Sequence, residues 1–189
     1  MSLISDPGAQ EVNYEIINGN VGIVARPDLN HLTVSFNVGK IFERFIDNSE
    51  CRMYIEATLH LDDRYVFIPD VSIVYDRNKR KGRAIYGAPD LVVEVLSPST
   101  AKYDLSVKKD IYEQYGVKEY WMIYPESRMI TVYQNNDKRF NLLDVYTYRN
   151  PGEMEYMTEQ DRNSLSSSFT TSLFDGLTIN LEEIFRGIE

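Results

Sequence analysis

Residues 91–96 read LVVEVL, a nearly unbroken apolar run with one carboxylate, Glu94, in its middle. Such a run suits a central strand covered on both faces. A chain that contains it must therefore stack layers on either side of a sheet. With 189 residues, 43% of them hydrophobic, the chain is long enough to do so around a single core. One domain over residues 1–189 is expected.

The remaining elements are read from periodicity and turn chemistry. NYEII and NVGIVA flank Asn18 and Gly19, which predicts a hairpin with strands at about 13–17 and 20–25. From Leu29 to Phe45 the spacing of His31, Ser35, Val38, Phe42 and Phe45 predicts an amphipathic helix behind an Asp28 or Asn30 cap. RMYIEATLHL alternates as one strand, and Asp62-Asp63 turns the chain into YVFIPDVSIVY. A loop, DRNKRKGR, precedes the central strand, and Ser97 to Thr100 ends it. The spacing then predicts a helix from Tyr103 to Tyr115, stopped by Gly116. EYWMIY and MITVYQ predict a second hairpin, Pro151-Gly152 a turn, and Asn180 with Glu183 a capping box on a short closing helix. Strands outnumber helices, so the expected class is α/β with a mixed sheet.

Composition narrows the chemistry. Twenty Lys and Arg against 29 Asp and Glu leave a net charge of −9, which repels polyanions overall and confines any nucleic-acid contact to a local patch. Neither a membrane-spanning run nor a secretory signal is present in the sequence, and a cytoplasmic location is the expectation. Cys51 is the only cysteine and there are two histidines, too few for a closed zinc site of nitrogen and sulfur ligands. A metal bound here would be a hard one, held by carboxylate oxygen.

Glu94 is the residue that most needs explaining, because burying a carboxylate in LVVEVL is costly without compensation. It is either half of a salt bridge or a metal ligand. Asp70, after Pro69 in IPDVSIV, is its natural companion, since proline there suits a strand start or bulge that re-aims the next side chain. On a helical wheel, Leu105, Lys108, Ile111, Tyr112 and Tyr115 share one stripe, so an ammonium stands where an apolar residue belongs. Lys108 either snorkels to water or faces a site. Its neighbour Lys109 lies toward the edge of the stripe, four residues before Glu113, as in a solvated ion pair. Two carboxylates and a lysine on neighbouring elements form a constellation suited to metal-dependent phosphodiester hydrolysis, with Mg²⁺ or Mn²⁺ as the ion.

The segments PDVSIV, PDLVVEVLSPST and DLSVKKDIYEQYGVKEYWMIYPESRMITVY closely resemble the signature of the Uma-two family, a restriction-endonuclease-like group of PD-(D/E)xK nuclease type. Weaker similarity extends to NYEIINGNV, the helix with His31, and SLFDGLTINLEEIF. The resemblance implies a restriction-endonuclease-like α/β fold: a mixed β-sheet core, flanking helices and an N-terminal β-hairpin. It implies that Asp70 and Glu94 are the motif acids, with the Val95 carbonyl as a further metal ligand. Leu96 stands where the general motif has lysine, and the resemblance places that lysine on the following helix, at Lys108. Glu15 alone keeps a carboxylate in the first hairpin, where the family has an acidic turn and this chain has Asn18-Gly19-Asn20. His31 has a place in the site, against the scissile phosphate or a carboxylate, or it is simply a packed or capping histidine.

Between Arg77 and Lys109 eight basic residues face three acidic ones, a local +5, whereas residues 140–189 carry −6. The basic loop is either an ordinary solvated loop or a phosphate contact beside the acids. The expectation is a Mg²⁺-dependent endonuclease acting on DNA, and the alternative is a nuclease-like binding or assembly module with little activity. A third reading is an oligomeric scaffold that uses the exposed 119–134 hairpin as a sheet edge, and a homodimer is a further possibility.

Overall fold

Asn18 and Gly19 take positive φ angles of 52° and 79°, as a two-residue hairpin turn requires, and join β1 (Tyr14–Ile17) to β2 (Asn20–Ile23). The structure is a computed structural model and describes residues 13–24, 26–46, 50–97 and 107–189. Helix α1 runs Leu29–Ile46, and Asp28 rather than Asn30 caps it, accepting from the His31 amide at 2.8 Å. Its buried stripe is Val34, Ser35, Val38, Ile41, Phe42 and Ile46, whereas Phe45, expected in that stripe, is exposed.

Two runs that alternate as single strands are each broken and shared between two sheets. RMYIEATLHL becomes β3 (Arg52–Ile55) and β4 (Thr58–His60), split at Glu56, whose φ of 49° ends the extended run. YVFIPDVSIVY becomes β5 (Tyr65–Phe67) and β6 (Val71–Val74). The expected basic loop is a short 3₁₀ turn, Arg77–Lys79, followed by the tight hairpin β7 (Arg80–Lys81) and β8 (Ala84–Tyr86). The central strand is β9 (Leu91–Val95), every residue of which is buried. Helix α2 (Lys109–Tyr115) ends at Gly116, in the left-handed conformation at φ 83°. Residues 98–106, including the expected start of this helix and Leu105, Lys102 and Asp104, lie outside the described residues.

Then follow β10 (Glu119–Tyr124), β11 (Met129–Asn136), β12 (Arg139–Thr147), α3 (Pro151–Glu155), α4 (Glu159–Ser164), β13 (Ser168–Thr170), β14 (Thr178–Asn180) and α5 (Leu181–Ile184). Pro151-Gly152, expected as a turn, opens α3 behind a capping box formed by Asn150 and Glu153. Asn180 caps α5 as expected but bonds the Glu182 amide, while the Glu183 carboxylate pairs with Arg44.

The central sheet has the order β12-β11-β10-β9-β6-β3, antiparallel except for the parallel pair β9 and β10 that α2 connects. The hairpin β10–β11 is therefore interior, and β12 occupies the edge that the 119–134 hairpin was expected to offer. A second sheet has the order β2-β1-β5-β4-β8-β7. One face of the central sheet packs on α1 and α5 through Val34, Val38, Phe42, Val93, Trp121 and Leu181. The other packs on α2 and the second sheet through Leu59, Phe67, Ile85, Val92, Tyr112 and Tyr120. At about 1.5–3 kcal/mol per fully buried apolar side chain, these two cores supply the main stabilisation. The mixed α/β architecture expected from the sequence is the one observed.

Candidate active site

The C-terminal end of β9 is where both cores and both sheets meet. Continuing the ladder Val71↔Val93 by one step sets Asp70 opposite Glu94, at the bend where the chain leaves the second sheet for the central one. The Asp70 carboxylate reaches past the end of the ladder. One oxygen accepts from the Val95 amide at 2.6 Å, and the other meets His31 Nε2 at 2.6 Å. An ionised carboxylate can only accept, so Nε2 of His31 carries the proton. Burial alone would push the imidazole pKa down. The Asp70 hydrogen bond and the charges of Asp70, Asp28 and Glu56 outweigh it and hold the group above its ordinary 6.5.

Glu94 is 4% exposed and faces α2, where Tyr112 donates its hydroxyl at 2.8 Å and Lys108 stands at 3.4 Å from the same oxygen. Lys108 does not snorkel. It is 6% exposed, its ammonium lies 2.8 Å from Glu15 Oε1, and Phe67 offers its ring face at 5.6 Å. Glu15 also accepts from the Ile68 amide at 3.0 Å. Burial, with Glu94 and Glu15 nearby, raises the Tyr112 pKa well above 10, so its hydroxyl remains a donor.

Asp70, Glu94, Lys108, His31 and Glu15 are thus brought together from five separate parts of the chain. Glu15 stands as the counter-ion of Lys108. The amide of Val95, whose carbonyl was the expected ligand, meets Asp70. Tyr112 was read only as an apolar position; its place one turn after Lys108 on the same stripe was the available sign that it shares Lys108's partner. The expected Lys109–Glu113 pair is absent among the described residues. Lys109 lies over Tyr133 at 4.8 Å from the ring centroid, and Glu113 takes the Phe140 amide.

Three nearly buried carboxylates against one ammonium and one imidazole leave the cluster net negative. Its donors are hard oxygens, which fits a small divalent cation. Among the described residues no three or more His, Cys, Asp or Glu side chains are gathered as a ready-made cage. Magnesium sites commonly take one or two carboxylates and leave the other positions to water and phosphate.

The layered α/β core around a mixed central sheet is a restriction-endonuclease-like fold. Comparison carries this to a family: the Uma2 profile, described as "Putative restriction endonuclease", matches residues 4–168, and the chain belongs to that family. The match ends before SLFDGLTINLEEIF. The chain is also 29% identical over 132 residues to an uncharacterized protein, slr1290, of Synechocystis sp., covering 68% of this chain and 69% of that protein. A crystal structure described as a "putative nuclease belonging to DUF820" from Anabaena variabilis superposes with a TM-score of 0.70 at 16% identity. It covers 93% of this chain and 91% of its own, a likeness of fold.

Proposed function

We propose that the protein is a metal-dependent phosphodiesterase that cleaves DNA, with Asp70 and Glu94 holding Mg²⁺, or Mn²⁺ in its place, and the Val95 carbonyl as a further ligand. The observation that carries this reading is the convergence of two buried carboxylates, Glu15 and Glu94, on the buried ammonium of Lys108, with Asp70 held beside Glu94 by the Val95 amide. When bound, the ion would polarise a phosphate oxygen and acidify water. The chain's own residues do the rest. Asp70 is held in place by the Val95 amide and His31, and Glu94 by Tyr112, so both are oriented before any ligand arrives. Lys108, anchored by Glu15, orients the attacking water and neutralises charge developing on the phosphate. His31 steadies Asp70 and lies close enough to share the proton traffic of the site.

The test joins calorimetric titration of Mn²⁺ with cleavage of supercoiled and linear DNA. The parent should bind the ion and cut DNA only in its presence, and Asp70→Asn and Glu94→Gln should each lose both properties. A parent that binds millimolar Mn²⁺ no better than these variants, and cuts nothing, would refute the reading.

A further inference from the structure

We infer that the outer face of the second sheet is a stacking subsite for an unpaired nucleobase of the substrate strand, next to the proposed scissile position. The inference rests on the phosphodiesterase reading and adds to it a preference for single-stranded substrate. The strands alternate, so the side chains opposite to the Glu15, Leu59, Phe67 and Ile85 face form one outer surface. A groove of about 150 Å³ lies on it, lined by Tyr14, Ile16, Thr58, His60, Val66 and Ile68.

Three observations select a nucleobase as the occupant. Aromatic surface is exposed here: His60 and Tyr86 stack in parallel at 4.9 Å and 9°, and Tyr86 and Tyr14 are 45% and 54% exposed. Bases stack on such faces irrespective of sequence, but only when unpaired. The charge is right for a polyanion. Tyr86 ends β8, whose hairpin partner β7 carries Lys81 opposite Ala84, with Arg77 and Arg83 exposed on the flanking turns, so the basic segment borders the aromatic pair in a protein of net charge −9. The groove also ends close along the chain to the proposed active site. Ile68, at its end, precedes Asp70 by two residues, about 7 Å along an extended chain. From β1 to β8 the platform crosses three strand spacings, about 14 Å, the length of about four stacked nucleotides.

The probe is a fluorescent 12-nucleotide DNA, single-stranded or annealed to its complement, titrated with the full chain in EDTA so that binding is read without cleavage. Single-stranded DNA is expected to bind about ten-fold tighter than duplex. Tyr86→Ala and Tyr14→Ala should each lose about ten-fold on the single strand, Tyr86→Phe should retain parent affinity, and the duplex should be indifferent to all three. Lys81→Ala with Arg83→Ala should flatten the slope of log affinity against log salt by about 1.4, the value for two phosphates on a single strand. Equal affinity for both forms, or tyrosine variants that bind like the parent, would overturn the subsite. So would sedimentation showing a parent dimer that Tyr86→Ala dissociates, since a second copy would then cover the face. If tyrosine-dependent binding survives while no ion supports cleavage, the phosphodiesterase reading fails and the subsite stands. Metal-dependent cleavage of both forms, unaffected by the tyrosine changes, means the reverse.

Discussion

Strands β9 and β10 lie side by side, and each buries a glutamate, yet the two acids are treated in opposite ways. Glu119, at the start of β10 and 1% exposed, is satisfied by neutral donors: Trp121 Nε1 at 2.7 Å, the Ser172 amide at 3.0 Å and the Ser172 hydroxyl at 2.6 Å. It ties the segment before β14 to the sheet. Glu94, toward the end of β9, is met by a cation and a phenol from another element, with further acids close by. Burial of a carboxylate therefore does not distinguish structure from chemistry. The partners differ: neutral donors fasten one loop at Glu119, whereas Glu94 meets opposed charge from another element, which on the proposed reading keeps a site ready to exchange a partner.

The largest expected effect breaks this comparison open. Glu94→Gln should lower metal-dependent cleavage by at least about 10³-fold, several kcal/mol of lost charge stabilisation, with the fold retained. Glu119→Gln should instead cost about 2 kcal/mol in urea unfolding, the scale of a hydrogen bond to a charged group, and leave turnover per folded molecule unchanged. The opposite pattern would mean that the two glutamates have been assigned the wrong way round.

Lys108→Ala comes next. Turnover should drop by about 10²-fold, and because Glu15 and Glu94 lose a buried counter-charge, stability should fall by about 3 kcal/mol. Adding Glu15→Gln should recover much of that stability but none of the activity. A Lys108→Ala protein as stable as the parent would show that the ammonium does not compensate these acids. Tyr112→Phe keeps the ring and removes the donor to Glu94, so Mn²⁺ affinity should weaken about ten-fold with little change in melting temperature. Unchanged affinity would reduce Tyr112 to packing.

His31 gives a smaller signal. Its folded pKa stands above the ordinary 6.5, so protonation favours the folded state. That stability is fully present below 6.5 and is lost as pH rises through the folded pKa. In EDTA, melting temperature should decline across that interval in the parent and lose this component in His31→Gln; identical profiles would exclude the linkage. Smallest of all is Lys109→Ala. It removes a cation from the Tyr133 and Phe140 rings, worth about 0.5 kcal/mol, and should leave cleavage intact.

Features written in short stretches of chain were legible before the structure. Asn18-Gly19 announces its turn because only certain residues tolerate positive φ, and the α1 period announces one buried face. The nearly unbroken run at 91–95 announces a strand covered twice, and the wheel over 103–115 singles out Lys108 because a cation interrupts an apolar stripe. For the same reason Glu94 and Lys108 were recognisable as anomalies, although what each one meets was not.

What only the tertiary structure decided is how distant segments divide and meet. Alternation continues through Glu56 and through Ile68-Pro69-Asp70, so nothing in the period says that the two runs change sheets there. The exchange is set by competition between two cores for Leu59 and Phe67 on one side and Met53 and Ile73 on the other. Glu15 as the anchor of Lys108, Tyr112 as the donor to Glu94, and Lys109 turning from Glu113 to two aromatic rings depend on side chains brought together from remote positions. Local sequence determines which residues are costly to bury. The packing of the whole chain determines which partners offset that cost.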